Sequence, residues 1–311
     1  MISLKGLLTV FKHSRWYSSD MTVFSCLACF LYALNANGDI INGFAAFVGI
    51  LFAHMATNLY DDYDDYKILK NDPRFIEFVP DVKCSYLRDG SASSTDLLTV
   101  IIAYCGIALL TGIFLFLRCG WEVLLLAVIG GVIVLSYPKF SRAGLSEIAV
   151  GIAFGPLLFE GMYFVMTKAF SLNVFVLSLA ISMFTIGVMY VHTILDYEGD
   201  RVSGKKTLVQ RIGDKESAMK GFVLIYSLGY FFLCVFSIMS EIYYCMLAFL
   251  TVPFVVMLYN ALKAYNSENN YSRNEKYLRI LTGAAKTMAI FAFFISVGLF
   301  LKNFEIMPLQ M

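Results

Sequence analysis

Nine apolar segments, most of them long enough to cross a lipid bilayer, make up the greater part of this chain. The hydrocarbon core of a bilayer is about 30 Å thick, so a helix that spans it needs roughly 20 apolar residues. The chain is 59% apolar and only 15% charged, which is far from the composition of a soluble domain. The pattern predicts an all-α polytopic membrane protein. The predicted spans are residues 21–38, 41–60, 96–117, 121–137, 146–167, 173–195, 218–239, 242–262 and 280–301.

The chain shows no sign of a division into separate domains. No Gly/Ser-rich or Pro-rich linker interrupts the apolar segments, so we expect a single nine-helix domain over residues 1–311. The net charge of +1 excludes a nucleic-acid binder with a broad basic face. The seven cysteines are odd in number and lie mostly in apolar runs, which is not the pattern of a disulfide framework.

The basic residues of the loops indicate how the chain is oriented. With the N-terminus in the cytoplasm, twenty of the 24 lysines and arginines fall on the cytoplasmic side, against Arg118, Lys168 and Lys302 on the other side. Cytoplasmic loops of membrane proteins carry an excess of Lys and Arg. The distribution therefore predicts a cytoplasmic N-terminus and an odd number of spans, and we interpret the location as a bacterial inner membrane.

An acidic cluster ends the second predicted span, with the sequence Asn58-Leu-Tyr-Asp-Asp62-Tyr-Asp-Asp65. Carboxylates are rare near a bilayer unless a cation or another partner accompanies them. Residues three or four apart share a helix face, so Asn58, Asp62 and Asp65 lie together with Asp61 at the margin of that face.

A second acidic cluster, Asp196-Tyr-Glu-Gly-Asp200, ends the sixth predicted span on the same side of the membrane. Mg²⁺ takes oxygen ligands and is usually held by one or two carboxylates together with substrate phosphates. Two opposed carboxylate faces therefore predict a site that grips one diphosphate through Mg²⁺. The predicted metal ligands are Asp61, Asp62, Asp65, Asp196 and Asp200, and the last four are also predicted to be catalytic.

Polar and basic side chains on the same side complement these carboxylates. Lys206 is the strongest basic candidate, because Gly204-Lys-Lys-Thr207 follows the second cluster directly. Each loop cation has an alternative role as a determinant of topology only. His54 and His192 lie one helical turn before Asn58 and Asp196, where they either line the site or bond to a neighbouring helix. The residues predicted to contact the diphosphate or an acceptor are Asn58, Lys83, Arg88, Lys139, His192 and Lys206.

The spacings Asn58-xxx-Asp62-xx-Asp65 and Asp196-xxx-Asp200, on the second and sixth of nine helices, resemble those of the UbiA superfamily of intramembrane prenyltransferases. Two further stretches are similar to its 1,4-dihydroxy-2-naphthoate prenyltransferase branch, which makes menaquinone precursors. One begins at Gly144-Leu-Ser-Glu147, and the other is Asp200-Arg-Val-Ser-Gly-Lys-Lys-Thr-Leu208. The resemblance implies Mg²⁺-dependent transfer of a polyprenyl group from its diphosphate to an aromatic acceptor, with 1,4-dihydroxy-2-naphthoate as the first candidate.

Three positions depart from the pattern of that branch. Asp61 stands where the branch usually has Asn, and His192-Thr-Ile-Leu195 replaces an Asn-rich lead that contains Arg. Glu160 stands where an apolar residue is expected. The acceptor therefore stays open among 1,4-dihydroxy-2-naphthoate, 4-hydroxybenzoate, homogentisate, haem or chlorophyllide, and a glycerol-phosphate lipid.

Two other classes of membrane protein also use clustered carboxylates. CDP-alcohol phosphotransferases carry a DG-xx-AR element within their acidic motif, and neither cluster here contains one. A cation-coupled transporter is the alternative of a different kind, but it predicts charges near the bilayer midplane on broken helices. The expected partners are thus a polyprenyl diphosphate, an aromatic small molecule and the lipid bilayer, with no nucleic acid and no protein partner implied.

Overall fold

A computed structural model describes residues 2–70, 84–202, 206–265 and 270–306 of the chain. Lys83, a predicted substrate contact, lies outside these residues. Within them all regular secondary structure is helical, which confirms the all-α class. The α-helices are α1 (Leu4–Lys12), α2 (Ser19–Leu34), α3 (Ile40–Leu69), α4 (Ser85–Arg88), α5 (Ser94–Cys119), α6 (Glu122–Arg142), α7 (Ser146–Ile152), α8 (Leu158–Thr167), α9 (Leu172–Leu195), α10 (Tyr197–Val202), α11 (Leu208–Ile212), α12 (Lys215–Ser240), α13 (Val252–Lys263) and α14 (Asn270–Ile306).

Seven helical stretches in the described part of the chain are long and apolar enough to cross a membrane. They coincide with seven of the nine predicted spans. The other two, α2 and the apolar part of α6 over Glu122–Tyr137, are shorter apolar helices. The membrane class is therefore confirmed, whereas the count of nine stays a prediction. The seven stretches are Ile40–Lys67, Ser94–Cys119, Ser146–Thr167, Leu172–Leu195, Lys215–Ser240, Tyr243–Lys263 and Glu275–Phe304.

The N-terminal helix α1 is fastened to the start of α5. Ser93 and Asp96 form a capping box at the N-terminus of α5, an arrangement that satisfies backbone N–H groups with no partner inside the helix. The Asp96 carboxylate also accepts a hydrogen bond of 2.9 Å from the Ser3 backbone N–H. Because α1 is tied down in this way, the segment that follows it, including Arg15, is held beside α3.

The predicted fifth span is interrupted by a π-helical turn over Ala153–Leu157, between α7 and α8. Gly155 has non-helical backbone angles there, and Pro156 has no N–H to continue the helical hydrogen bonds. A Cβ atom at Gly155 would lie 2.6 Å from the Ser182 Cβ on α9. The glycine therefore allows the kink to pack directly against α9.

Helix α9 lies at the centre of the bundle and is the most buried of the long apolar helices in the described residues. Its Phe184 ring stacks on Phe291 of α14 with the centroids 3.6 Å apart. Gly229 of α12 lets that helix approach Phe184 closely. Packing on both sides holds α9 in the bundle, and the second acidic cluster begins where α9 ends.

Candidate active site

The first acidic cluster lies within α3, which continues to Leu69 and so extends beyond the predicted end of the span. Asp62 and Asp65 are only 3% and 4% exposed. Asp64 points away from them and pairs with Arg142 of α6 at 2.5 Å. This division agrees with the helix-face argument, in which Asp62 and Asp65 share a side and Asp64 does not.

Asp62 is held by two side chains from other parts of the chain. The Arg15 guanidinium forms an ion pair with Asp62 and lies 3.7 Å from the Asp61 carboxylate. The Tyr86 hydroxyl of α4 donates a hydrogen bond of 3.0 Å to the Asp62 Oδ2 atom. Burial, reinforced by the neighbouring Asp62 carboxylate, raises the pKa of Tyr86, so the phenol stays protonated and keeps donating.

The backbone of Arg15 is in the left-handed region, with φ of 56°. That conformation costs an ordinary residue about 1–2 kcal/mol, and strained backbone that persists often belongs to a functional site. Here the ion pairs with Asp61 and Asp62 offset the cost. Neither Arg15 nor Tyr86 was predicted as a site residue, because they lie 47 and 24 positions from Asp62 in sequence and no local spacing relates them.

The second cluster spans a break between two helices, which its spacing did not predict. Asp196 lies just past the end of α9 with non-helical backbone angles, and Asp200 belongs to the short helix α10. The Asp200 N–H still donates to the Asp196 carbonyl at 2.8 Å, so the two residues keep a one-turn relation. Both are buried, with 9% and 7% of their surface exposed.

His192 connects the second cluster to the interior of the bundle. Its Nε2 atom lies 3.1 Å from the Asp196 Oδ2 atom. Glu147 of α7 contacts Thr193 in the last turn of α9. It is 1% exposed and accepts hydrogen bonds from Ser146 at 2.9 Å and from Thr193 at 3.3 Å. Glu147 is thus a further buried carboxylate near the site that the acidic spacings did not indicate.

Contacts at the end of α6 bring the two clusters to the same end of the bundle. Arg142 pairs with Asp64 of the first cluster, and its carbonyl accepts a 3.2 Å hydrogen bond from the Lys206 N–H, six positions after Asp200. Arg118 and Lys168 lie at the opposite end, where Arg118 binds Asp39 at 2.8 Å and its carbonyl accepts from Lys168 at 2.7 Å.

A cavity of about 730 Å³ opens beneath the first cluster. Most of its lining is apolar, and its polar end is formed by Arg15, Asn58, Asp61, Asp62, Tyr86 and His192, among others. Asp196 does not line the cavity itself, but it contacts His192, which does.

Not every predicted site residue reaches the cavity. Asp65, Asp196 and Asp200 are buried beside it, and among the described residues they are not part of its wall. Lys139 and Lys206 are exposed and Arg88 is half-buried, and none of the three lines the cavity in the described structure. Besides these basic residues, seven described residues were predicted to bind the diphosphate, metal or acceptor. The structure places four of them on the cavity wall: Asn58, Asp61, Asp62 and His192.

The remaining polar residues inside the membrane region have different surroundings. His54 lines the cavity, its Nδ1 atom 2.7 Å from the Thr22 hydroxyl and its ring edge-on to Phe154. Glu160 accepts a hydrogen bond of 3.2 Å from the Ser171 N–H at the start of α9. Lys286 is exposed on the surface of α14. His54 is therefore the one of these three that faces the cavity.

The donor atoms fit Mg²⁺ only if a ligand completes the coordination. In the described part of the chain no group of three or more His, Cys, Asp or Glu side chains converges on one point. Mg²⁺ is usually bound through one or two carboxylates plus substrate phosphates, with water at the other positions. Buried carboxylate pairs at one end of a cavity meet that requirement.

A helical membrane bundle with buried carboxylates at one end of a long apolar cavity is the architecture of an intramembrane enzyme that acts on an amphiphilic, anionic substrate. Residues 22–283 match the model of the UbiA prenyltransferase family. The chain belongs to this family, and it is accordingly an integral membrane prenyltransferase.

Individual relatives are more distant. The chain is 23% identical over 282 residues to 1,4-dihydroxy-2-naphthoate octaprenyltransferase of Bacillus subtilis (strain 168), covering 86% of this chain and 84% of the relative. The apo structure of a UbiA homolog from Aeropyrum pernix K1 has a TM-score of 0.66 at 17% identity, over 91% of this chain and 98% of that one. A UbiA homolog from Archaeoglobus fulgidus bound to GPP and Mg²⁺ has a TM-score of 0.55 at 15% identity, over 90% and 99%. These structures share the fold.

Proposed function

We propose that this protein transfers a polyprenyl group from its diphosphate to an aromatic acceptor, with 1,4-dihydroxy-2-naphthoate as the acceptor and menaquinone biosynthesis as the context. The observation that carries the proposal is a cavity with carboxylates at one end and a long apolar remainder. A polyprenyl diphosphate has the same division into a charged head and an apolar chain. The name of the Bacillus subtilis relative supports the choice of acceptor. The other acceptors considered from the sequence remain alternatives.

Asp61, Asp62, Asp65, Asp196 and Asp200 are proposed to hold Mg²⁺ against the diphosphate. When bound, the metal would neutralise phosphate charge and make the diphosphate a better leaving group. Solved structures of a homologue with GPP and Mg²⁺ support this cofactor. Arg15 pairs with Asp61 and Asp62, so its guanidinium lies where the metal-bound diphosphate would lie. If Mg²⁺ replaced Arg15 as the partner of these carboxylates, the guanidinium would be available to bind diphosphate oxygens.

The other predicted contacts have unequal support. Asn58 lines the cavity and donates to the Ser18 hydroxyl at 3.1 Å, so its carbonyl oxygen is oriented by that bond. His192 lines the cavity and contacts Asp196. Arg88, Lys139 and Lys206 stay proposals as outer cations that attract the diphosphate, since none of them lines the cavity in the described residues.

The reaction that this arrangement suits is an electrophilic substitution on the acceptor ring. The allylic carbon–oxygen bond breaks, and the diphosphate leaves with the bonding electrons. A ring carbon forms the new carbon–carbon bond and then loses a proton or, where it carries a carboxylate, carbon dioxide, so that the bonding electrons return to the ring. The apolar walls exclude water, which would otherwise capture the allylic cation. His54 and His192, which line the cavity, are proposed to hydrogen-bond the acceptor.

The orientation and domain organisation complete the proposal. The acidic end of the bundle would face the cytoplasm of a bacterium, in its inner membrane, with the whole chain acting as one transmembrane domain. The position of Arg118 and Lys168 at the other end of the bundle supports this orientation.

An acceptor screen tests the proposal directly. Purified protein in lipid vesicles would receive Mg²⁺, a labelled polyprenyl diphosphate, and separately 1,4-dihydroxy-2-naphthoate, 4-hydroxybenzoate, homogentisate or a glycerol-phosphate lipid. We expect prenylated naphthoate and equimolar release of diphosphate. Transfer to another acceptor alone would correct the substrate. Ion flux across the vesicles without diphosphate release would favour the transporter alternative and refute the enzyme.

Arg15 provides a separate test of the diphosphate end. We expect Arg15→Gln to raise KM for the donor about 10–150-fold, which corresponds to the loss of about 1.5–3 kcal/mol for a charged hydrogen bond. Its Mg²⁺ affinity in the absence of donor should rise, because the competing cation at Asp61 and Asp62 is gone. Arg118→Gln, which removes an arginine from the opposite end, is the matched control and should leave both quantities unchanged. An unaltered KM in Arg15→Gln would remove Arg15 from the substrate site.

A further inference from the structure

The cavity runs through most of the depth of the bundle. Along α3 its lining extends from Asp62 to Ala46, which are 16 positions apart and therefore about 24 Å apart at a rise of about 1.5 Å per residue. Leu115, Val123 and Val165 line the far end and are themselves buried. A chain whose head lies at Asp62 thus meets packed side chains at the far end.

Glycines on the cavity wall are of two kinds. A Cβ atom at Gly49 of α3 would lie 2.5 Å from the Thr111 hydroxyl oxygen, so this glycine permits close packing of α3 on α5. A Cβ atom at Gly112 of α5 or at Gly131 of α6 would meet no heavy atom within 4 Å. Gly112 and Gly131 do not serve packing; they leave open volume inside the cavity.

These two glycines lie deep in the membrane relative to Asp62. Gly49 precedes Asp62 by 13 positions and packs on Thr111, which puts the neighbouring Gly112 about 20 Å from the acidic end. Gly131 precedes Arg142, the partner of Asp64, by 11 positions, or about 16 Å along the helix.

The cavity also reaches the outer surface of the bundle between α5 and α6. Cys105 of α5 and Ala127 and Leu135 of α6 line the cavity, and all three are exposed. Leu135 is 70% exposed. This exposure is what an opening of the cavity through a gap between α5 and α6 would give, and Gly112 and Gly131 line the cavity on those two helices.

We infer that Gly112 and Gly131 allow the protein to accept long prenyl chains, an inference that rests on the proposed transferase function. A short chain lies wholly within the cavity. A long chain exceeds its depth, and the part beyond these glycines passes between α5 and α6 into the lipid. Each methylene kept away from water contributes about 0.8 kcal/mol whether protein or lipid surrounds it, so a long chain loses nothing by leaving, provided that the gap stays open.

The test is to fill the open volume and compare donors of different length. We expect Gly112→Leu and Gly131→Leu to lower kcat/KM for octaprenyl diphosphate about 10–200-fold, the usual effect of a misfit of one or a few methylenes in a pocket. Transfer from geranyl diphosphate should stay within about twofold of the unaltered protein, since its short chain ends before these positions.

Gly106→Leu is the matched control. Gly106 is on the same helix α5, and a Cβ atom there also meets no heavy atom within 4 Å, but Gly106 is not part of the cavity lining. This variant carries the same added side chain and should accept both donors normally. Activity with geranyl diphosphate in the two test variants shows at the same time that they fold.

A binding readout that needs no turnover uses the exposed Cys105 at the gap. In a Cys234→Ser background without acceptor, octaprenyl diphosphate should protect Cys105 of the otherwise unaltered protein from N-ethylmaleimide. The protection should disappear in Gly131→Leu and persist in Gly106→Leu.

The outcomes separate the inference from the function beneath it. If the unaltered protein transfers both prenyl groups and the two test variants match Gly106→Leu, the chain-length role is wrong and the transferase stands. Equal losses with geranyl and octaprenyl donors would likewise overturn it, because length would not matter. If the unaltered protein transfers no prenyl group to any acceptor, the proposed function fails and the inference with it.

Discussion

Asp62→Asn and Asp196→Asn are expected to lower the rate of prenyl transfer by at least ~10³-fold, because loss of a single group that stabilises transition-state charge already costs about 10²–10³ in rate. Asp62 lines the polar end of the cavity, and Asp196 contacts His192, which also lines that end. The change to asparagine keeps the shape of each side chain and removes its negative charge. Initial rates of diphosphate release with a labelled donor would measure the effect.

The control for this experiment is on the same helix. Asp64 is also a carboxylate of the first cluster, but it is half-buried and pairs with Arg142 away from the cavity. Partly exposed ion pairs contribute about 0–1 kcal/mol, so Asp64→Asn should retain most of the activity. A thermal unfolding curve in detergent would show that all three variants are folded. Normal turnover by Asp62→Asn would refute the site as described.

Removal of divalent metal is expected to abolish transfer as completely as the aspartate substitutions do. With excess EDTA the rate should fall to background and return when Mg²⁺ is added in excess, since the carboxylates alone would repel the diphosphate. Ca²⁺, which prefers more ligands at longer distances, should restore much less.

The metal dependence also distinguishes direct ligands from neighbours. Asp62→Asn should need a higher Mg²⁺ concentration for whatever activity remains, and Asp64→Asn should follow the unaltered protein. Donor binding measured by filtration of radiolabelled diphosphate would check the same point without turnover. Full activity in EDTA, with metal content verified by elemental analysis, would exclude Mg²⁺ from the mechanism.

Hydropathy and helix periodicity were sufficient to predict the architecture and the position of the acidic residues. Seven apolar segments became helices of spanning length, because a bilayer imposes length and polarity on every crossing. The i, i+3 relation of Asp62 and Asp65 predicted that they share a helix face, and both side chains are buried in the structure. Such features depend on neighbouring residues, so the order of residues is enough to find them.

Features that depend on contacts distant in sequence could not be predicted. Nothing near Arg15 or Tyr86 relates them to Asp62, since packing of α1 on α5 and of α4 near α3 brings them there. The break between α9 and α10 at Asp196 was also not predicted, because the four-residue spacing of Asp196 and Asp200 is equally compatible with one continuous helix. The positive charge of Lys139 and Lys206 suggested site residues, but charge alone does not reveal whether a side chain points toward a cavity.

The ion pair of Arg15 with the first acidic cluster has a consequence for cells deprived of magnesium. Without a cation, repulsion between the Asp61 and Asp62 carboxylates would favour local unfolding and degradation. The Arg15 guanidinium, which lies near both carboxylates, offsets that repulsion. During scarcity the membrane would retain an intact, dormant stock of this protein. Once the ion returned, prenyl transfer would resume without new translation or insertion.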